Sequence, residues 1–203
     1  DFSGYSDMAF GLAFMFGLKI PINFLSPYKA KNINEFWKRW HISLSSFARD
    51  YVFNPIGISF TRTLINFNLN KKLYIFLSFS FPTIICFFCI GIWHGAGWNF
   101  IVFGLAHAFF IILHSQWVNF KKNFFFINKI TTSNIFSRFS IIINFLLVTL
   151  LFVFFRSENL SQSFFILKSM LGLNGISLPT FLSSKFYLLR DFGFSFDGFS
   201  TNN

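Results

Sequence analysis

Acid is scarce in this chain. Only 7 of its 203 residues are Asp or Glu, against 17 Lys and Arg, and charged residues together reach just 12%. A soluble domain carries about twice that charged fraction, so a free water-soluble globule is excluded. Cysteine is scarcer still, at 2 residues. Cys86 and Cys89 stand inside an apolar run, where Cys-x-x-Cys reads as two small buried hydrophobes rather than a redox pair or half a zinc site. No disulfide framework follows.

Apolar length is what the chain has in abundance. Hydrophobic residues make up 54%, with 37 phenylalanines, and mean hydropathy is +0.56. The bilayer is therefore the expected surroundings. The net charge of +10 does not point to nucleic acid, because the basic residues sit between apolar runs rather than on one face. That is the pattern of cytoplasmic loops under the positive-inside rule.

Three runs are candidates to cross the membrane: residues 74–93, 98–117 and 139–155. Pro82 is expected to kink the first. Ahead of them, the apolar part of residues 8–20 is too short to cross and suggests a broken or partly re-entrant helix, followed by a connector bracketed by Pro21 and Pro27. Asp1 and Asp7 are candidates to orient a histidine or to cap a helix, and capping is the expectation. Asn32 with Glu35 has capping-box spacing. The Phe36, Trp37, Trp40, Leu44, Phe47, Ala48 and Tyr51 set then recurs at steps of three and four, which predicts one amphipathic interfacial helix over residues 32–51. A second capping box, Asn159 to Gln162, opens a short helix that Gly172 stops. Residues 172–203 show no clear period and read as a divergent or truncated tail. Asp191-Phe192-Gly193 matches a kinase metal motif in letters only. The chain opens at Asp1 without a cleavable signal peptide and is expected to be a piece of a larger membrane protein.

The loop with Arg62, Lys71 and Lys72 and the loop with Lys121, Lys122, Lys129 and Arg138 belong in the cytoplasm. The uncharged link His94-Gly95-Ala96-Gly97 then belongs towards the outer side. An ionisable side chain at such a depth is a functional candidate by default. From the residues alone, His94 is either catalytic or an interfacial histidine bonded to a neighbouring helix. His41 is evenly divided between a functional and a structural role. His107, between two alanines, reads as a buried hydrogen-bonded histidine. His107 and His114 share a helical face, yet no second set of ligands accompanies them, so no metal is expected. A neutral buried imidazole is suited to take a proton from an alcohol. Asn99 and the amides of residues 95–97 are candidates for stabilising the oxyanion that forms next.

Asp1-Phe2-Ser3-Gly4-Tyr5-Ser6-Asp7-Met8-Ala9, then Glu35-Phe36-Trp37-Lys38-Arg39-Trp40-His41-Ile42-Ser43-Leu44-Ser45, then Trp93-His94-Gly95-Ala96-Gly97-Trp98 resembles the membrane-bound O-acyltransferase family. The branch it is most similar to holds the membrane subunit of alginate O-acetyltransferase and its peptidoglycan-acetylating and teichoic-acid D-alanylating relatives. Phe154-Phe155-Arg156 with Asn159-Leu160-Ser161 resembles it too, so the likeness covers residues 1 to about 171.

The resemblance implies an all-α, multi-helix membrane bundle with re-entrant segments around a tunnel, of which residues 1–171 form a C-terminal part. It implies His94 as the catalytic histidine and His41 as a second site residue. It also implies a donor such as acetyl-CoA or another acyl thioester, with no bound cofactor, and an exported or cell-wall polysaccharide as acceptor. An extracytoplasmic acetyl-transfer partner protein and a multi-pass location in the bacterial inner membrane complete that picture. Lys38 and Arg39 are candidates for donor phosphates, with lipid headgroups as the other reading. The sequence departs from the family at Ile58-Ser59-Phe60-Thr61-Arg62, where a glycine-rich basic loop is usual. Two rival functions remain open at this point: a proton-coupled transporter using His94 and His107, and a non-catalytic assembly subunit.

Overall fold

A computed structural model describes residues 2–125, 129, 131, 133–179 and 194–198, in two compact units, Asp1–Phe155 and Arg156–Asn203. The first helix, α1 (Phe2–Met15), spans only about 21 Å at 1.5 Å per residue. It is closed by Gly17 at φ 71°, the Leu18 amide donating to the Ala13 carbonyl at 2.9 Å. Asp1 lies outside the described residues.

The single helix expected over residues 32–51 is instead divided. It consists of α2 (Ile33–Arg39), α3 (Ile42–Ala48) and a π-helical turn (Arg49–Phe53) that runs on into α4 (Asn54–Ile65). The break falls at Trp40 and His41, because the chain around Asn23 runs alongside and claims the backbone. The Leu25 amide donates to the Arg39 carbonyl and the Ile42 amide to the Asn23 carbonyl, both at 3.0 Å. Asn23 Oδ1 accepts from the Ser43 amide at 3.0 Å and the Ser43 hydroxyl at 2.7 Å. Each half keeps its own helical period, so nothing in the pattern of apolar residues marks the interruption. The predicted cap is present: Asn32 Oδ1 accepts from the Glu35 amide and Glu35 Oε2 from the Lys31 amide, each at 2.9 Å.

Among the described residues, three helices are long and apolar enough to cross a membrane: α5 (Lys71–His94), α6 (Trp98–Lys121) and α7 (Asn134–Arg156). Each contains its predicted run and extends it at the basic end. At 23 or 24 residues each reaches about 35 Å, enough for a hydrocarbon core of about 30 Å. α5 continues through Pro82 without a change of helix type. The α5–α6 hairpin is held by close backbone approach at two glycines. A methyl group on Gly91 would lie 2.6 Å from the Phe100 carbonyl oxygen, and one on Gly104 would overlap the Phe87 carbonyl oxygen. Small residues at a helix crossing are how membrane helices gain van der Waals contact where lipid removes the hydrophobic drive.

α2 packs against the middles of these spans, not their ends, which differs from the headgroup depth expected for it. The Trp37 ring sits 5.0 Å from Phe87, and its indole Nε1–H donates to His107 Nδ1 at 3.2 Å. Asn144 Nδ2 donates to the Ala30 carbonyl at 3.1 Å. Phe36 is fully buried, and Ile33, Trp37, Ile90, Ala108 and Val148 join it in one apolar cluster. Irregular backbone at this level is tolerated because it is buried in protein or lines a cavity.

In the second unit, α8 (Leu160–Met170) has the predicted capping box. Asn159 Oδ1 accepts from the Gln162 amide at 2.9 Å, and Gln162 Oε1 accepts from the Glu158 amide at 2.7 Å. Gly172, at φ 75°, ends it as anticipated. Beyond it β1 (Ile176–Pro179) and β2 (Phe194–Gly198) pair in parallel, with Ile176 opposite Phe194. That small pair is the one addition to an otherwise helical chain among the described residues. Asp191-Phe192-Gly193 lies outside them.

Candidate functional site

His94 is the last residue of α5, so its imidazole stands where the helix opens into the Gly95-Ala96-Gly97 link. It is half-buried in aromatic rings. Trp93, Phe155 and Phe103 have centroids 4.8, 4.9 and 5.9 Å from it. Phe103 in turn is packed 4.6 Å from His107.

His41 occupies the break between α2 and α3 and adopts φ 44°, ψ 58°. A left-handed conformation is uncommon for a non-glycine residue and persists only where surroundings impose it, often at functional sites. Asn23 and Leu25 supply that imposition through the bonds described above. His41 is partly buried, and burial pushes its imidazole below the ordinary histidine range. Its ring lies 6.2 Å from Phe24 and 6.4 Å from Trp93. Trp93 therefore lies against both histidine rings, which places the two histidines on either side of one indole. Residues 53 positions apart in sequence (94 less 41) are thus brought to one place.

The other candidates separate. Arg39 is taken up structurally: it donates to Glu35 Oε1 at 2.7 Å and to the Leu25 carbonyl at 3.3 Å. Burial alone would raise the Glu35 pKa, but the Lys31 amide and the Arg39 guanidinium outweigh it and hold the carboxyl below its usual range. Lys38 points elsewhere, lining a cavity of about 390 Å³ together with Arg49, Ser45 and Ser46. Its wall includes Ile42, which follows His41, and Ile90, one turn before His94. Arg49, the first residue of the π turn, lines this cavity and pairs with Asp50. The π turn that carries it towards this cavity left no mark in the sequence.

Asn99, the oxyanion candidate, is buried and donates through Nδ2 to the Phe154 carbonyl at 3.2 Å, tying α6 to α7. The Gly95 amide is likewise committed, donating to the Ile92 carbonyl at 3.1 Å. His107 is wholly buried and accepts from Trp37, the structural role expected of it. Among the described residues no group of three His, Cys, Asp or Glu side chains is arranged to hold a metal ion. Asn23 and Phe103 escaped the sequence reading, whereas Trp93 and Phe155 figured in it only as members of motifs, with no contact between Phe155 and His94 anticipated.

A sequence signature described as MBOAT, membrane-bound O-acyltransferase family, matches residues 1–157. The chain is 42% identical over 178 residues to the peptidoglycan O-acetyltransferase of Helicobacter pylori, covering 88% of this chain and 30% of that protein. It is 32% identical over 209 residues to a probable alginate O-acetylase of Pseudomonas putida, covering 95% of this chain and 38% of the relative. Identity to the teichoic acid D-alanyltransferase of Streptococcus thermophilus is 36% over 129 residues, or 64% of this chain and 29% of that protein. The chain therefore spans about a third of the length of the curated relatives it matches.

Proposed function

The chain belongs to the membrane-bound O-acyltransferase family, and from that premise we propose that it carries the acyl-transfer centre of an O-acetyltransferase acting on an exported or cell-wall polysaccharide. The three relatives bear names that differ in acyl group and in polymer. What those names share is acylation of a cell-envelope polymer. The single observation that carries the reading is the juxtaposition of His41 and His94 around Trp93.

His94 acts as general base. It takes the proton of an acceptor hydroxyl as that oxygen attacks the donor's thioester carbonyl; the C–O bond forms, the C–S bond breaks, and the proton passes to the departing thiolate. Base catalysis of this kind contributes about 10²–10⁴ in rate. His41 polarises or shapes the opposite side of the site. The donor is acetyl-CoA or another acyl thioester, and Lys38 meets its phosphate in the cavity shared with Arg49. The protein works in the bacterial cytoplasmic membrane, passing acetyl groups towards an extracytoplasmic transfer partner.

The test is ester-linked acetate on the surface polymer of cells expressing the full-length parent, wild type against His94→Ala at matched membrane abundance. Loss of acetate with the variant folded is the expected result. Unchanged acetate would remove His94 from the chemistry.

A further inference from the structure

A second and larger cavity, of about 590 Å³, opens where α6 and α7 meet the turn at Lys31. Its lining combines two kinds of surface. Leu113, Phe136 and Leu147 supply apolar wall, whereas Lys31 and Lys121 supply two ammonium groups, and among the described residues no Asp or Glu lines it. Among the described residues neither ammonium has a salt bridge, since the ion pairs there are Arg39–Glu35 and Arg49–Asp50. His114 also lines the cavity and presents a buried Nδ1 with no partner among the described residues.

This cavity is remote from the histidine pair. Lys121 is 23 residues beyond Trp98 on one unbroken helix, a rise of about 35 Å, while His94 lies just before that helix begins. The cavity runs from Phe110 in the middle of α6 to Lys121 at the end that carries the basic loop, the end assigned to the cytoplasm. There the inner leaflet presents anionic headgroups, which attract juxtamembrane lysines.

We propose that this cavity binds an anionic phospholipid, its phosphate held between Lys31 and Lys121 and an acyl chain laid along Leu113, Phe136 and Leu147. The ligand is one that satisfies both surfaces at once. A free phosphate leaves the apolar wall bare, and a neutral lipid leaves Lys121 without a counter-charge and Lys31 with only the Glu35 carboxylate that Arg39 already engages.

The experiment uses the purified full-length parent in zwitterionic detergent. Lipid retention is read by native mass spectrometry after adding phosphatidylglycerol, phosphatidylcholine, or the glycerophosphoglycerol headgroup alone. Phosphatidylglycerol is expected to be retained roughly tenfold or more over phosphatidylcholine. Lys31→Gln with Lys121→Gln abolishes that preference, and Leu147→Trp, which fills the apolar wall, lowers retention with both lysines intact. Should the double variant not fold, the single Lys121→Arg keeps the preference and Lys121→Gln weakens it. Equal retention of the two lipids would overturn the proposal, as would a preference that survives the charge removal. Full competition by the headgroup alone would replace it with a simple anion site. None of these readouts depends on acyl transfer.

Discussion

Burial of the His41 imidazole has a consequence for pH. An ordinary histidine titrates near 6.5; His41 is pushed below that, so at pH 7 it is neutral and begins to protonate only in more acid solution. The folded state favours the neutral ring, so the stability it contributes is complete above about pH 6.5 and is lost as pH falls through the lowered value. Activity of the full-length parent is expected to hold down to about pH 6.5 and then decline. In His41→Gln that acid limb becomes less steep by one proton. A steady-state pH profile of acetyl transfer checks both statements, and a limb of the same steepness in the variant would show that His41 does not titrate in it. The conformation of His41 makes a separate demand. Asn23→Ala removes the acceptor for two Ser43 donors and is expected to lower activity more than stability, because the left-handed turn loses its support while the spans stay packed.

Between elements, the structure relies on polar ties and on small residues rather than on apolar burial, which lipid makes nearly neutral. Asn99 to Phe154 and Trp37 to His107 each join two helices, and Asn144 to Ala30 ties α7 to the turn ahead of α2, at about 0.6 kcal/mol apiece on average for such bonds in membranes. Asn99→Ala should therefore cost roughly 1 kcal/mol of stability and leave transfer by the surviving folded protein near wild type; a fall in kcat of about 10² or more without loss of stability would restore it as an oxyanion donor. The α5–α6 crossing is less forgiving. Gly104→Val places a Cβ against the Phe87 carbonyl oxygen and is expected to destabilise by about 1–3 kcal/mol, read as a lower midpoint of thermal unfolding in detergent. At this scale the caps at Asn32 and Asn159 were legible because each is a bond between residues three apart. The break at His41 was not, because its cause lies 18 residues earlier in Asn23.

For the whole molecule, the arrangement of basic loops makes a topological prediction. With Cys86 and Cys89 replaced by alanine, a cysteine at Ala96 should react with a membrane-impermeant maleimide added outside intact cells, and one at Lys122 should react only after permeabilisation. The reverse pattern would invert the orientation and carry the lipid cavity to the other leaflet. Within the described structure only 39, 28 and 22% of the apolar windows of α5, α6 and α7 are buried. Their remaining faces are left for lipid or for protein, and tests of function accordingly belong to the full-length parent.

The sequence by itself determined the membrane class, the three spans, the two capping boxes and the histidine motifs. All of these depend on neighbours a few residues apart or on runs of uniform polarity. The tertiary structure alone decided which candidates stand together. It put His41 beside Trp93 and His94, turned Arg39 to Glu35 while sending Lys38 to a cavity with Arg49, and committed Asn99 to the Phe154 carbonyl. Those outcomes rest mainly on contacts between distant parts of the chain, on one left-handed residue and on one π turn. Spacing carries no trace of them, because a side chain's role is set by the partner that packing brings to it.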